Sequence, residues 1–163
     1  MTADESIREE LVALLPRLRR FALGLTGSRD QADDLVQNAC ERALKNLHQY
    51  QADTRFDSWM FRITKNIWID TWRARKAQGL NVKLETAEYE ARGYSKEDVE
   101  NRHTLAAVSR AMQKLPEDQR VVLTLVSVEG LSYKEAAKVL EVPAGTVMSR
   151  LSRARRRLYE LIA

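Results

Sequence analysis

Hydrophobic residues recur along this chain at three- and four-residue spacing, the period of an α-helix with one apolar face. Ile7, Leu11, Leu14, Leu18, Phe21 and Leu25 form the first such stripe. Pro16 lies inside it and predicts a kink or a split, because proline removes a helix hydrogen bond and collides with the preceding turn. Gly27 predicts the stop, and Ser28 with Gln31 reads as a capping box that opens the next helix. On that helix Ala32, Leu35, Val36, Ala39, Ala43 and Leu47 share one side, while the acidic pair Asp33 and Asp34 opens the other. Residues 48–57 lose the period and read as a loop. After Ser58 a dense stretch runs to about Lys76, with Met60, Ile63 and Ile67 as its core stripe.

From Ala77 to about Glu97 the pattern fails: Gly79, Gly93 and scattered acids interrupt any apolar face. This is the natural domain boundary, with room for a transient helix. Periodicity resumes with Leu105, Val108, Met112 and Leu115. Pro116 predicts the start of another helix, with Val122, Leu125 and Val126 inward and Gly130 as its stop. Ser132 and Glu135 then form a capping box ahead of Ala136 and Ala137, whose small side chains allow a close helix approach. Val142-Pro143 breaks the chain, and Val147, Leu151, Ala154 and Leu158 fall within roughly 60° on the last helix. Two helices around so tight a turn have the layout of a helix-turn-helix. The predicted fold is all-α: two small helical domains, residues 1–76 and 99–163, joined by a flexible linker, residues 77–98.

Composition narrows the class. Only 6 Gly and 3 Pro in 163 residues argue against a turn-rich β fold. The formal charge of +4 is only mildly basic, but residues 104–163 carry 10 Lys/Arg against 6 Asp/Glu, so the excess sits in the last third. Cys40 stands alone and excludes an intramolecular disulfide framework; it reads as a small buried hydrophobe. His48 and His103 have no evident partners, and neither a Walker A loop nor a zinc-ligand cluster is present. The expectation is a protein with no cofactor, no metal and no enzymatic activity. No apolar run approaches the length of a membrane span, and the acidic start at Asp4 and Glu5 lacks a signal-peptide pattern. A cytoplasmic protein is expected.

Two stretches carry chemistry. On the last helix Thr146, Ser149, Arg150, Arg153, Arg156 and Arg157 lie away from the apolar stripe. The first of these are near the helix N-terminus, the end that enters a major groove, where Arg can grip guanine O6 and N7. Arg156 and Arg157 are better placed for phosphates; the plainer alternative is a solvated basic helix. Residues 56–76 interleave Phe56, Trp59, Phe61, Trp68 and Trp72 with Arg62, Lys65, Arg73, Arg75 and Lys76. Exposed rings flanked by cations bind single-stranded nucleic acid by stacking. One inward helix face cannot hold five rings, so some are expected at the surface, Trp72 foremost; Trp59 and Trp68 suit the core. The loop from Gln51 to Asp57 has room to hold an extruded base. Asp33 and Asp34, taken alone, also suit a plain complement to the helix dipole.

The blocks DQADDLVQNACERAL, FDSWMFRITKNIWIDTWRARK and LPEDQRVVLTLVSVEGLSYKEAAKVLEVPAGTVMSRLSRARRRL resemble, in order and spacing, the signature blocks of the extracytoplasmic-function sigma factors of the sigma-70 family. One departure is Asn38-Ala39, where the family often has Glu-Thr. The resemblance implies a promoter-specificity subunit of bacterial RNA polymerase that serves a dedicated regulon. It implies that Asp33, Asp34, Leu35, Val36, Gln37 and Glu41 dock on the β′ clamp helices. Arg55, Trp59, Arg62, Lys65, Asn66, Trp72, Arg73 and Arg75 would capture and melt the −10 element, with Asp70 structural. Gly145, Thr146, Ser149, Arg150, Arg153, Arg156 and Arg157 would read the −35 duplex. Implied partners are core RNA polymerase (β′ clamp helices and β flap), promoter DNA and an anti-sigma factor, with no membrane insertion. The linker permits two domain arrangements, open on polymerase and closed on an inhibitor. Two rivals are a dimeric helix-turn-helix regulator, which leaves the aromatic helix without a task, and a sigma-like adaptor that sequesters an anti-sigma factor.

Overall fold

The computed structural model describes residues 2–79 and 96–163, the side chains of 96–103 excepted. The chain is all-α, with seven α-helices among the described residues. α1 spans Ala3–Thr26 and α2 spans Arg29–Lys45. A 3₁₀ turn at Leu47–Gln49 takes Leu47 out of α2, and α3 spans Phe56–Ala77. After the segment 80–95, on which the transient-helix expectation falls outside the described residues, α4 spans Lys96–Gln113 and α5 spans Glu117–Leu123. A π turn at Thr124–Val128 leads to α6, Tyr133–Leu140, and α7, Ala144–Ile162.

Pro16 does not split the first helix: α1 runs through it. Leu11 and Leu14 before it and Leu18 and Phe21 after it are all buried in one core. Their burial outweighs the roughly 3 kcal/mol that an interior proline costs. The residue whose carbonyl loses its partner, Val12, is on the exposed side, where solvent can satisfy it. A capping box unnoticed in the sequence opens α1: Thr2 Oγ1 accepts from the Glu5 N–H at 3.2 Å, and the Thr2 N–H donates to Glu5 Oε2 at 3.1 Å. The helix ends at Gly27, whose φ of 70° is left-handed and suits a residue without Cβ. Ser28 caps α2 and Ser132 caps α6, each accepting from the N–H three residues on. Glu141, at φ 57°, ends α6 without a glycine.

α1, α2 and α3 pack as one group, with the Phe21 and Phe61 rings edge to face at 5.0 Å. α4 to α7 form a second group, in which Val147, Leu151 and Ala154 anchor α7. Leu105 departs from its predicted stripe and is exposed, while Met112 and Leu115 are buried. The two groups close on each other, and their buried residues form one continuous cluster. α3 therefore has two packed sides, one against α1 and α2 and the other against α6.

The seam between the groups is built from close and polar contacts. Gly24 of α1 lies so near the π turn that a Cβ there would meet Thr124 Cγ2 at 2.8 Å. The Glu129 side chain is 0% exposed and pairs with Arg20 through Oε1 at 3.0 Å and Oε2 at 2.7 Å, with Arg17 at 3.9 Å. Arg120, 1% exposed, donates to the carbonyls of Leu25, Gln113 and Leu115 and to Gln113 Oε1. At the start of α3, Asp57 accepts from Arg55 at 2.7 Å, Ser58 N–H at 2.7 Å and Arg17 at 3.2 Å. Burial pushes the Asp57 carboxyl up, but these donors together outweigh it and leave it below the usual carboxylate range.

Two outcomes follow from this packing. Phe21→Ala removes a fully buried ring and should lower the unfolding free energy by about 3–5 kcal/mol in urea titration. Asp57 has a folded pKa below its unfolded one, so its contribution is present above the ordinary Asp value of about 3.9 and is lost as pH falls through the folded value. The stability gap between wild type and Asp57→Asn, read from urea midpoints across pH 2–6, should shrink as the pH falls.

Candidate nucleic-acid interface

The residues expected to dock on polymerase lie along α2. Asp33, Asp34, Gln37 and Glu41 are exposed on one face, with Gln37 Nε2 donating to Glu41 Oε1 at 3.4 Å. Leu35 and Val36 are buried, because helical periodicity turns them into the core; they support that face from behind and do not present on it. Cys40 beside them is half-buried, and burial pushes its thiol up, against the opposing effect of Arg19. Among the described residues no group of three or more His, Cys, Asp or Glu is placed to hold a metal ion.

The aromatic helix departs from expectation. None of Phe56, Trp59, Phe61, Trp68 and Trp72 is exposed. The premise that α3 has a single inward face fails, since both of its long sides are packed. Trp68 is in the core as expected. Trp72 is half-buried, stacked on Trp68 at 6.0 Å, with the Arg120 guanidinium 5.1 Å from its own ring and 5.3 Å from that of Trp68. Trp59 lies 5.2 Å from Tyr50 and 5.9 Å from Phe56, forming one wall of a cleft of about 580 Å³. That cleft also takes in Gln51, Arg55 and Arg62, and it is bounded on its far side by Glu135 and Lys138 of α6. The loop expected to hold a base thus has a cavity beside it, partly roofed by the second helix group.

Arg55, at the N-cap of α3, and Arg62 and Arg73 within it meet acids across the seam. Arg55 Nη1 lies 2.7 Å from Glu135, Arg62 Nη1 3.3 Å from Glu141, and Arg73 Nε 3.2 Å from Glu117. Arg62 also donates to the Lys138 carbonyl at 3.0 Å. Lys65 is buried; burial lowers its pKa, Glu141 opposes, and Arg62 and Arg150 add to the lowering. Asn66 is exposed. Arg75 and Asp34 line one cavity of about 170 Å³ with Trp68, Trp72 and Arg120, so the acidic face of α2 and the aromatic helix border the same space.

On α7 the outward arc carries Gly145, Ser149, Arg153, Arg156 and Arg157, all exposed. Gly145 has open space above it. Thr146 is half-buried and its carbonyl accepts from Ser149 Oγ at 3.1 Å. Arg150 is drawn back toward Asp118, at 3.9 Å. Two features escaped the sequence reading. Met148 is 50% exposed beside the outward arc of α7, and an apolar side chain there is of the kind that can contact a thymine methyl; its place one residue after the buried Val147 was the available signal. The acids Glu117, Glu129, Glu135 and Glu141 line the seam, and no local pattern marks a charge whose partner is more than 40 residues away.

Comparison with known proteins places this geometry. The family description Sigma-70 region 2 matches residues 11–78, and Sigma-70, region 4 matches residues 105–158. The ECF RNA polymerase sigma factor EcfG of Rhodopseudomonas palustris is 36% identical over 163 residues, covering 99% of this chain and 88% of that protein. Among solved structures, the sigma factor RpoE in complex with the anti-sigma factor NepR from Bartonella quintana matches with a TM-score of 0.80 and 31% identity, over 97% of each chain. CnrH in complex with the cytosolic domain of CnrY matches with a TM-score of 0.72 and 26% identity, over 97% of this chain and 88% of that one. Helix groups in the order the sequence blocks predicted, and relatives matched along nearly the whole chain, lead to one assignment: the protein belongs to the extracytoplasmic-function sigma factors of the sigma-70 family.

Proposed function

We propose a division of labour between the two helix groups of this sigma factor. The protein is a promoter-specificity subunit that directs core RNA polymerase to initiate at a dedicated set of promoters, and an anti-sigma factor restrains it. Sigma factors are transcription initiation factors; catalysis belongs to the polymerase, and we assign this chain no chemistry of its own. Among the described residues no helix is long and apolar enough to cross a membrane, and we assign the protein to the cytoplasm, where its polymerase and promoter are found.

In this reading residues 1–76 form the docking and −10 domain, residues 77–98 the linker, and residues 99–163 the −35 domain. Asp33, Asp34, Gln37 and Glu41 meet the β′ clamp helices. The cleft beside Trp59 receives a base extruded from the −10 element, with Arg55, Arg62, Asn66, Trp72, Arg73 and Arg75 along the strand. The observation that carries the −35 assignment is the α6–α7 pair. Val147, Leu151 and Ala154 bury one face of α7 and leave Ser149, Arg153, Arg156 and Arg157 on the outward arc. Arg153 is the better base reader of the two central arginines, because Arg150 is held toward Asp118.

Run-off transcription with purified core polymerase on a promoter library tests the whole reading. The expected result is promoter-specific transcripts that depend on this protein; DNA binding by the protein alone, without such transcripts, would instead indicate a stand-alone regulator. Arg153→Ala should weaken binding to its cognate −35 duplex by about 1–3 kcal/mol and relax preference at one base pair. Arg156→Ala should weaken all sequences alike and reduce the salt slope by about 1. Quantitative competition binding of the holoenzyme at several salt concentrations separates the two.

A further inference from the structure

Arg120 is a buried cation whose hydrogen bonds all go to neutral oxygens. Its Nη1 and Nη2 groups donate to the carbonyls of Leu25, Gln113 and Leu115 and to Gln113 Oε1. That uses four of the five donors a guanidinium carries. The fifth, Nε–H, is buried and has no partner among the described residues, in a residue that is only 1% exposed. A buried donor without an acceptor is costly, and more so on a charged group. Arg120 also lines the cavity of about 170 Å³.

The walls of that cavity come from the end of α1, one side each of α2 and α3, and Arg120 of α5. Leu25, Leu35, Ile67 and Trp68 are buried and apolar, and Trp72 is half-buried beside them. Asp34, Asn38 and Thr71 are exposed and Arg75 is half-buried, and these form the rim. Two cations, Arg120 and Arg75, therefore stand against one acid, Asp34, around the space. An apolar cavity of roughly 150 Å³ accepts a benzene ring, so this one has room for a single ring with a small substituent. A neutral ring would leave Nε–H unmatched, and a small anion without a ring would leave the apolar walls against water.

We propose that this cavity is a binding site for a small aromatic carboxylate, with its ring against Leu35, Ile67 and the tryptophan pair and its carboxylate accepting from Arg120 Nε–H. Arg75 adds favourable charge at the rim and Asp34 opposes it. The site shares no lining residue with the cleft beside Trp59, and it stands independently of the promoter contacts proposed above. A ligand there touches α1, α2, α3 and α5 together, so its binding stabilises the packed chain.

The test uses the full chain labelled with 5-fluorotryptophan and titrated with sodium benzoate at constant ionic strength and neutral pH. Benzoate should bind saturably with a Kd of about 1 mM or below, well within what so few ligand atoms can supply. The ¹⁹F resonances of Trp68 and Trp72, assigned with Trp68→Phe and Trp72→Phe, should shift, and that of Trp59 should stay in place. Substitution of Arg120 would unsettle the fold, so its donor is tested through the ligand: benzamide, which lacks the charge, and acetate, which lacks the ring, should each bind several-fold more weakly. Thr71→Phe, which fills the rim from an exposed helix position, should abolish binding. Arg75→Gln should weaken it several-fold and Asp34→Asn should tighten it several-fold. No saturable binding at millimolar benzoate, or a shift of Trp59 in place of the other two, overturns the site. Benzamide as tight as benzoate overturns the anion, and acetate as tight overturns the ring. Binding kept in Thr71→Phe overturns the placement. Should that variant melt early, the other two decide: an affinity that neither Arg75→Gln nor Asp34→Asn changes also overturns it.

Discussion

A guanidinium cannot be left unpaired inside a protein, and the burial of Arg120 constrains much of this structure. Removing such a charge from water costs several kcal/mol, which only hydrogen bonds and favourable electrostatics can offset. Arg120 obtains them from three backbone carbonyls, those of Leu25, Gln113 and Leu115, and from the faces of Trp68 and Trp72. Burial lowers its pKa to about 10, opposed by Glu117, so the group stays charged at neutral pH. One side chain thereby fixes the end of α1, the α4–α5 turn and the rings of α3 relative to one another. Gln113 reinforces the arrangement by donating to the Gly24 carbonyl at 3.2 Å while its own oxygen accepts from Arg120.

With that point fixed, the remaining seam follows from geometry. The π turn brings Thr124 against Gly24 and sets Glu129 over Arg17 and Arg20. α6 then lies along the free side of α3, and its acids reach the arginines there. On the −10 reading proposed for α3, its rings and cations would have to be exposed to meet a strand. In this sigma factor the same face is covered by the protein's own second half.

Much of this was legible in the sequence because it is local. The 3.6-residue period located the helices, serines marked the starts of α2 and α6, and Val147, Leu151 and Ala154 gave the buried side of α7 correctly. Two kinds of error had a common origin in long-range packing. Pro16 was expected to kink or split α1; it does not split it, because buried residues on both sides keep the helix continuous. Five rings were expected to overflow one helix face, but α3 has two covered faces. For the same reason Leu35 and Val36 could be grouped with surface residues of α2 by motif although their period points inward. Nothing local marks Arg120, in the run Gln119-Arg120-Val121-Val122-Leu123, as buried, because the Leu25 carbonyl and the tryptophan rings that hold it are contributed by other elements.

The central claim is that the aromatic face of α3 is shielded in the free protein and released when the sigma factor engages its promoter. All 3 tryptophans of the chain lie on this helix, so 5-fluorotryptophan labelling reports on it directly, with unlabelled core polymerase and DNA silent. The decisive measurement is the ¹⁹F chemical shift of Trp72, assigned with Trp72→Phe, and its sensitivity to exchange of H₂O for D₂O, in the free protein and in the promoter complex. The account predicts a resonance that is weakly sensitive to solvent in the free protein and moves on promoter engagement. A Trp72 resonance that is fully solvent-sensitive in the free protein, or unchanged between the two states, would contradict it.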